Sequence, residues 1–404
     1  MDSLTQITLG AACGELALGK KIGNRAMMWG AIGGTIPDLD ILANFMLTDV
    51  EALAFHRGIS HSILFGIVSP FLFAWLTNRL YGSGLYQKKW YRGLIFMLSI
   101  LFLIGVGLIV NVIPVVLSGD KNWVVILLSV SALIWLGYRL WQNFQKDALE
   151  EITVKYSDWV KLFFWSIFTH PLLDAFTAYG TQLFAPFSDY RVAFNTISVV
   201  DPLYTVPFIL SLLGAAMFLK THRFRKYLTI LGVVVSSTYL AFTVYNKQRI
   251  DQIFEQSLTN QNINYQRFRT SPSIFNNILW QGVAETEDAY MMGMYSLFDA
   301  SPKVSFYTLQ KQHELLHPYE SEKPIQILKW FTDDYYTVTP LSGGTFQLSD
   351  VRYGSVKEQA SKPEDFVFRF IINPKPEGIE VKEIRARENV DESFADLFRR
   401  IKGK

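Results

Sequence analysis

Charge is scarce in this sequence. Only 18% of the residues are Asp, Glu, Lys or Arg, whereas half are hydrophobic and 15% are aromatic. That balance is too apolar for an ordinary soluble enzyme of 404 residues. A formal net charge of +2 creates no basic field, so nucleic acid is not an expected partner. Cysteine is limited to Cys13, which excludes an intramolecular disulfide and leaves the redox compartment unassigned. A basic segment ahead of the first apolar run is also missing. Asp2 stands there instead, so the start does not read as a cleavable signal peptide. No internal repeat or low-complexity segment is evident.

What the sequence has is long apolar runs, confined to residues 1–245. A bilayer core needs about 20 such residues in a helix. Clear candidates are 59–78, 93–118, 123–141, 159–178, 199–219 and 227–245. Residues 3–19, short and rich in small residues, and 26–47, interrupted by Pro37-Asp38-Leu39-Asp40, bring the expected total to eight spans. Basic residues orient them. Lys20, Lys21 and Arg25 follow span one; Arg79, Lys88, Lys89 and Arg92 follow span three. Lys146 and Lys155 follow span five, and Lys220, Arg223, Arg225 and Lys226 follow span seven. The alternate loops hold Arg57, Lys121 and Arg191. The first set is therefore expected in the cytoplasm, with the N-terminus and everything after residue 245 facing outward from the plasma or inner membrane.

Residues 246–404 are polar, and are expected to form a separate extracytoplasmic α+β domain of about 155 residues. Residues 246–262 read as a polar helix or linker. Runs at 288–296, 303–309, 335–339 and 366–372 read as strands, and Phe394, Leu397, Phe398 and Ile401 recur at helical spacing near the end.

Ionisable groups within apolar spans are costly, so each calls for a reason. Asp38 and Asp40 lie in the outward part of span two, and His56 and His61 flank the start of span three. His170 and Asp174 lie in the outer half of span six, Asp201 begins span seven and Asp2 begins span one. The charge bias, counted independently, sets all eight at one membrane face. His170-x3-Asp174 stacks an imidazole and a carboxylate on one helix face, and nitrogen with oxygen ligands favours zinc or a similar divalent first-row metal. Pro37 breaks its helix. An irregular break there would let Asp38 and Asp40 point the same way, whereas a regular helix would splay them. Ser60 is read as the cap of the next helix, which lets His56 and His61 both turn inward. Glu15 is expected to pair with Lys20, and His222, His313 and His317 to be solvated or structural. Arg57 and Arg191 are candidates for holding a phosphate or carboxylate.

These segments together resemble a family of membrane-bound metal-dependent hydrolases of YdjM type. The resemblance is carried by Met1-Asp2-Ser3-Leu4-Thr5, Gly33-Gly34-Thr35-Ile36-Pro37-Asp38-Leu39-Asp40 and His56-Arg57-Gly58-Ile59-Ser60-His61-Ser62. It continues through His170-Pro171-Leu172-Leu173-Asp174-Ala175-Phe176-Thr177, Tyr179-Gly180-Thr181-Gln182 and Asp201-Pro202-Leu203-Tyr204. The family opening usually reads Thr-His, where this chain has Thr5-Gln6. The order of Pro-Asp, paired His and His-x3-Asp is also distantly similar to zinc-dependent phospholipase C.

The resemblance implies one to three divalent ions and hydrolysis of an ester or phosphoester bond in a lipid or lipid-linked substrate. Asp38, Asp40, His56, His61, His170, Asp174 and Asp2 would bind metal, and Arg57, Asp201 and Arg191 would serve catalysis. Two other readings use the same residues. An ion-coupled transporter would use the His and Asp groups as a relay, and a non-catalytic anchor would only display its outward domain.

Overall fold

The computed structural model describes residues 1–118, 123–146, 151–355, 359–360, 362–376, 378–384 and 390–403. The chain divides into two compact units, Met1–Pro70 with Lys161–Lys404, and Phe71–Val160. Among the described residues, nine α-helices occupy the first two thirds: α1 (Ser3–Ile22), α2 (Asn24–Thr35), α3 (Asp49–Phe55), α4 (Ile63–Gly82), α5 (Lys89–Ser118), α6 (Trp123–Phe144), α7 (Tyr156–Asp174), α8 (Pro202–Ala216) and α9 (Arg223–Asn260). Among the described residues, α4, α6 and α9 are long and apolar enough to cross a membrane, and α8 is a shorter apolar helix.

In the first unit, α1 and α2 form a tight hairpin because glycine lines their contact. A Cβ on Gly10 would lie 2.3 Å from the Gly30 carbonyl oxygen, and one on Gly34 would lie 2.5 Å from that of Gln6. Helices that lack a strong hydrophobic drive to associate approach through such small residues. On the other side of α2, a Cβ on Gly33 would meet Ser166 of α7 at 2.8 Å. The start of α1, the end of α2 and the end of α7 are thereby drawn together. Span two is not one helix: α2 stops at Thr35, and Pro37 opens a 3-10 helix over Pro37–Phe45.

In the second unit, α5 packs beside α6. Phe96 stacks on Phe144, their centroids 5.0 Å apart, and Ser129 donates to Asn111 Oδ1 at 2.5 Å.

The polar helix expected after Tyr245 is a direct continuation of α9, which runs unbroken to Asn260. Its far end packs Ile250, Ile253 and Phe254 against Trp280, Tyr295 and Val304. Two four-stranded antiparallel sheets follow. One has the order β1 (Arg267–Pro272), β2 (Leu279–Glu285), β3 (Ala289–Ser296), β4 (Tyr307–Gln310). The other has β5 (Tyr336–Pro340), β6 (Phe346–Ser355), β7 (Phe366–Lys375), β8 (Gly378–Glu383). Helix α10 (Lys323–Thr332) lies between them in sequence, and α11 (Val390–Ile401) ends the chain. The expected runs at 288–296, 303–309, 335–339 and 366–372 overlap β3, β4, β5 and β7. The other four strands were not among the expected runs; β2, for example, is buried along its whole length and so shows no alternation. Val50 and Leu53 of α3 enter the second sheet's core beside Leu328, Phe331 and Phe370. The segment between the two acidic and histidine motifs is thus clamped by the C-terminal region.

Candidate metal centre

Four side chains from three segments converge. Asp38 comes from the first turn of the 3-10 helix, His61 from a short 3-10 turn over Ile59–His61, and His170 and Asp174 from the last turns of α7. His61 Nε2 lies 3.1 Å from His170 Nε2. Each Nε2 lies 3.4 Å from Asp38 Oδ1 and 3.4 Å from Asp174 Oδ2. No two of the four ligand atoms are more than 4.8 Å apart. Zinc bonds of about 2.0–2.2 Å in a tetrahedron require ligand atoms roughly 3.4 Å apart. The four His–Asp separations match that spacing.

Hydrogen bonds fix which ring nitrogens face inward. His170 Nδ1 lies 2.6 Å from the Gly34 carbonyl oxygen, which can only accept, so Nδ1 carries the proton and Nε2 presents a lone pair. That carbonyl is free because it belongs to the last turn of α2. His61 Nδ1 donates to Ser60 Oγ at 3.0 Å, and Ser60 in turn donates to Asp40 Oδ2 at 3.0 Å. Such outer partners set tautomer and ring orientation in metal sites. Asp174 Oδ2 is buried and has no hydrogen-bond donor, which an ion would satisfy. Its other oxygen accepts from Gln6 Nε2 at 2.9 Å and from the Met1 amino group. Position 6 is therefore next to the cluster, where an amide orients a ligand carboxylate. The donor set, its spacing and the unsatisfied oxygen all fit a divalent ion.

Asp40 and His56 form the next layer. Asp40 Oδ1 is 2.8 Å from His56 Nδ1, and its Oδ2 accepts from the Arg57 backbone N–H at 2.9 Å. The expected common direction of Asp38 and Asp40 is not found. A 3-10 helix turns about 120° per residue, so residues two apart splay by roughly 240°. Asp38 reaches the four-atom cluster, while Asp40 reaches the histidine loop. The helix cap is also two residues later than expected: Ser62 Oγ accepts from the Phe65 N–H, leaving Ser60 to join His61 to Asp40.

Arg57 stands at the cluster's edge. Its Nε is 3.3 Å from Asp174 Oδ2, Nη1 donates to Thr177 at 3.0 Å, and the guanidinium lies 4.7 Å from the centre of the Tyr179 ring. A left-handed backbone at Arg57 (φ 59°) makes the turn between the two histidines. Tyr179 also packs edge-on against His56.

Three expected site residues lie elsewhere. Asp2 caps α1, accepting from the Thr5 N–H at 3.1 Å and its hydroxyl at 2.6 Å. Asp201 caps α8, accepting from the Leu203 N–H at 3.0 Å and the Tyr239 hydroxyl at 2.9 Å. Arg191 donates to the carbonyls of Tyr179 and Phe331. Glu15 pairs with Arg225 of α9 rather than with Lys20: Arg225 Nε donates to Glu15 Oε1 at 2.6 Å and Nη2 to Oε2 at 2.5 Å. His222 caps α9 and His313 stacks on Tyr336, both structural positions.

Apolar helices of spanning length, followed by a β-rich region and joined to a buried His/Asp cluster that can hold a metal ion, define a membrane protein with a candidate metal centre. Residues 1–250 match the family described as YdjM inner membrane protein, and the chain belongs to that family. No curated protein and no solved structure gives a significant match.

Proposed function

We propose that the chain is a multi-pass membrane hydrolase that uses one zinc-like ion to cleave an ester or phosphoester bond of a lipid or lipid-linked substrate. The observation that carries this reading is the near-tetrahedral set of Asp38 Oδ1, His61 Nε2, His170 Nε2 and Asp174 Oδ2, with Arg57 alongside. A bound divalent ion supplies positive charge that polarises a substrate oxygen and acidifies water. Arg57 adds a fixed cation for an anionic group on the substrate. Gln6, Gly34, Ser60 and Asp40 hold the ligands in place.

Access supports a substrate that arrives from the bilayer. Asp38 is the ligand with appreciable side-chain exposure, 19%, and Asp174, His61 and His170 have 1% or less. The same 3-10 helix displays Leu39, Ile41, Leu42 and Phe45 to the outside. A lipid tail can lie along such a surface while its headgroup reaches the cluster.

The accompanying topology is eight spans, an outward metal centre and an extracytoplasmic C-terminal domain in residues 246–404, as the charge bias supports. A reporter fused after Lys404 should be active outside the cytoplasm, and one fused after Lys146 inside; the reverse pattern rejects the orientation. For the chemistry, protein purified in detergent should hydrolyse a chromogenic phosphodiester or a carboxylic ester. It should lose that activity with chelator and recover it with zinc. A fully metal-loaded protein inert towards both ester classes and towards a phospholipid panel would contradict the enzyme reading.

A further inference from the structure

A cavity of about 420 Å³ is lined by Arg191, Arg267, Arg269 and Arg352, with Trp330 and Tyr335 on its walls. Its size lies within the range of small-molecule sites. Buried guanidinium groups need compensation, and here it is uneven. Arg352 is neutralised by Asp350, its Nη2 2.6 Å from Oδ2, and Arg267 Nε lies 2.5 Å from Glu285 Oε2. Arg191 donates to two backbone carbonyls. Arg269 Nη2 donates to Asn195 Oδ1 at 2.7 Å, while its Nε is buried with no partner. Burial, and then the like charge of Arg352, push Arg191 down to about 10 and lower Arg269 also.

The anion shared by Arg267 and Arg269 is loosely held. Asp333 Oδ2 stands 3.7 Å from Arg267 Nη1 and 3.9 Å from Arg269 Nη1, beyond hydrogen-bonding distance of both. An oxygen anion between two guanidinium groups is the position a phosphate oxygen takes, and phosphate can satisfy several such donors at once. Aromatic walls suit the organic part of such a ligand.

We propose that this cavity binds a phosphate-bearing ligand of headgroup size, its oxyanion set between Arg267 and Arg269 and its organic part against Trp330 and Tyr335. Tyr179 lines the same cavity and faces Arg57 at the metal cluster, so the two sites are neighbours. The binding itself requires neither an ion nor turnover, and stands or falls apart from the hydrolase reading.

The test is a binding titration of the full chain in detergent after treatment with chelator. The probes are glycerol 3-phosphate and short-chain phosphatidic acid, with diacylglycerol as the uncharged control. Saturable binding of glycerol 3-phosphate identifies a soluble source, and binding of phosphatidic acid alone identifies a lipid. Arg269→Met should weaken binding at least about tenfold. Asp333→Asn removes the competing carboxylate at an exposed, left-handed position that Asn tolerates, and should tighten binding. If Arg269→Met does not fold, Asp333→Asn decides. Wild type that binds neither phosphate probe, or an Asp333→Asn variant no tighter than wild type, overturns the proposal.

Discussion

His61 and His170 face each other through their Nε2 atoms at 3.1 Å, and each ring's Nδ1 proton is engaged elsewhere. Two inward lone pairs at that distance repel unless a cation lies between them. Two carboxylate oxygens complete the set, so a divalent ion resolves the contact and the missing hydrogen bond at Asp174 Oδ2 together. The neighbouring residues then differ in what their loss should do.

Removing a ligand and removing its support should be distinguishable. His61→Ala and Asp174→Ala should each abolish stoichiometric metal binding. Asp40→Asn should weaken affinity by about 10–100-fold, because Asp40 orients His61, through Ser60 and from its own Oδ2 3.3 Å from Nδ1, without touching the ion. His56→Ala should retain one ion per chain. Chelator competition measures all four. Equal losses at Asp40 and Asp174 would show that Asp40 is itself a ligand.

Asp201 should matter for stability alone. Its carboxylate caps α8 and accepts from Tyr239. Asp201→Ala should destabilise the protein by about 0.5–2 kcal/mol, the usual cost of a lost cap. Metal content should stay at the wild-type level. Thermal melting and metal analysis on the same sample check both, and loss of the ion from folded protein would put Asp201 in the site.

The Glu15–Arg225 pair, both residues buried, joins α1 to α9. Arg225→Met leaves an unpaired buried carboxylate and should cost about 3–5 kcal/mol, whereas Glu15→Met/Arg225→Met should recover most of it. Melting temperatures of the single and double variants give the comparison. A double variant as weak as the single would mean that packing of the guanidinium, rather than charge, holds the helices.

Much of the site was legible because its spacing is local. His170-x3-Asp174 fixes two ligands on one helical face, and Pro37 marks where the backbone changes course. What sequence could not distinguish was the placement of residues two apart. Asp38 joins the cluster and Asp40 lies behind it because the segment is a 3-10 helix rather than an extended break. Asp2 and Asp201 share the expected membrane face with the ligands, yet each is held by the backbone N–H groups of its own helix. A charge count assigns a face and says nothing about which carboxylates cross it. Of the cavity arginines the sequence singled out Arg191 alone, since Arg267, Arg269 and Arg352 join it through the pairing of a loop with two sheets.

Anomalous diffraction at the zinc edge, from crystals of the full chain supplied with zinc, tests the metal centre most directly. One peak should lie about 2.0–2.2 Å from Asp38 Oδ1, His61 Nε2, His170 Nε2 and Asp174 Oδ2. No peak among these four, with the two imidazoles still in contact, would mean that they share a proton instead, and would contradict the account.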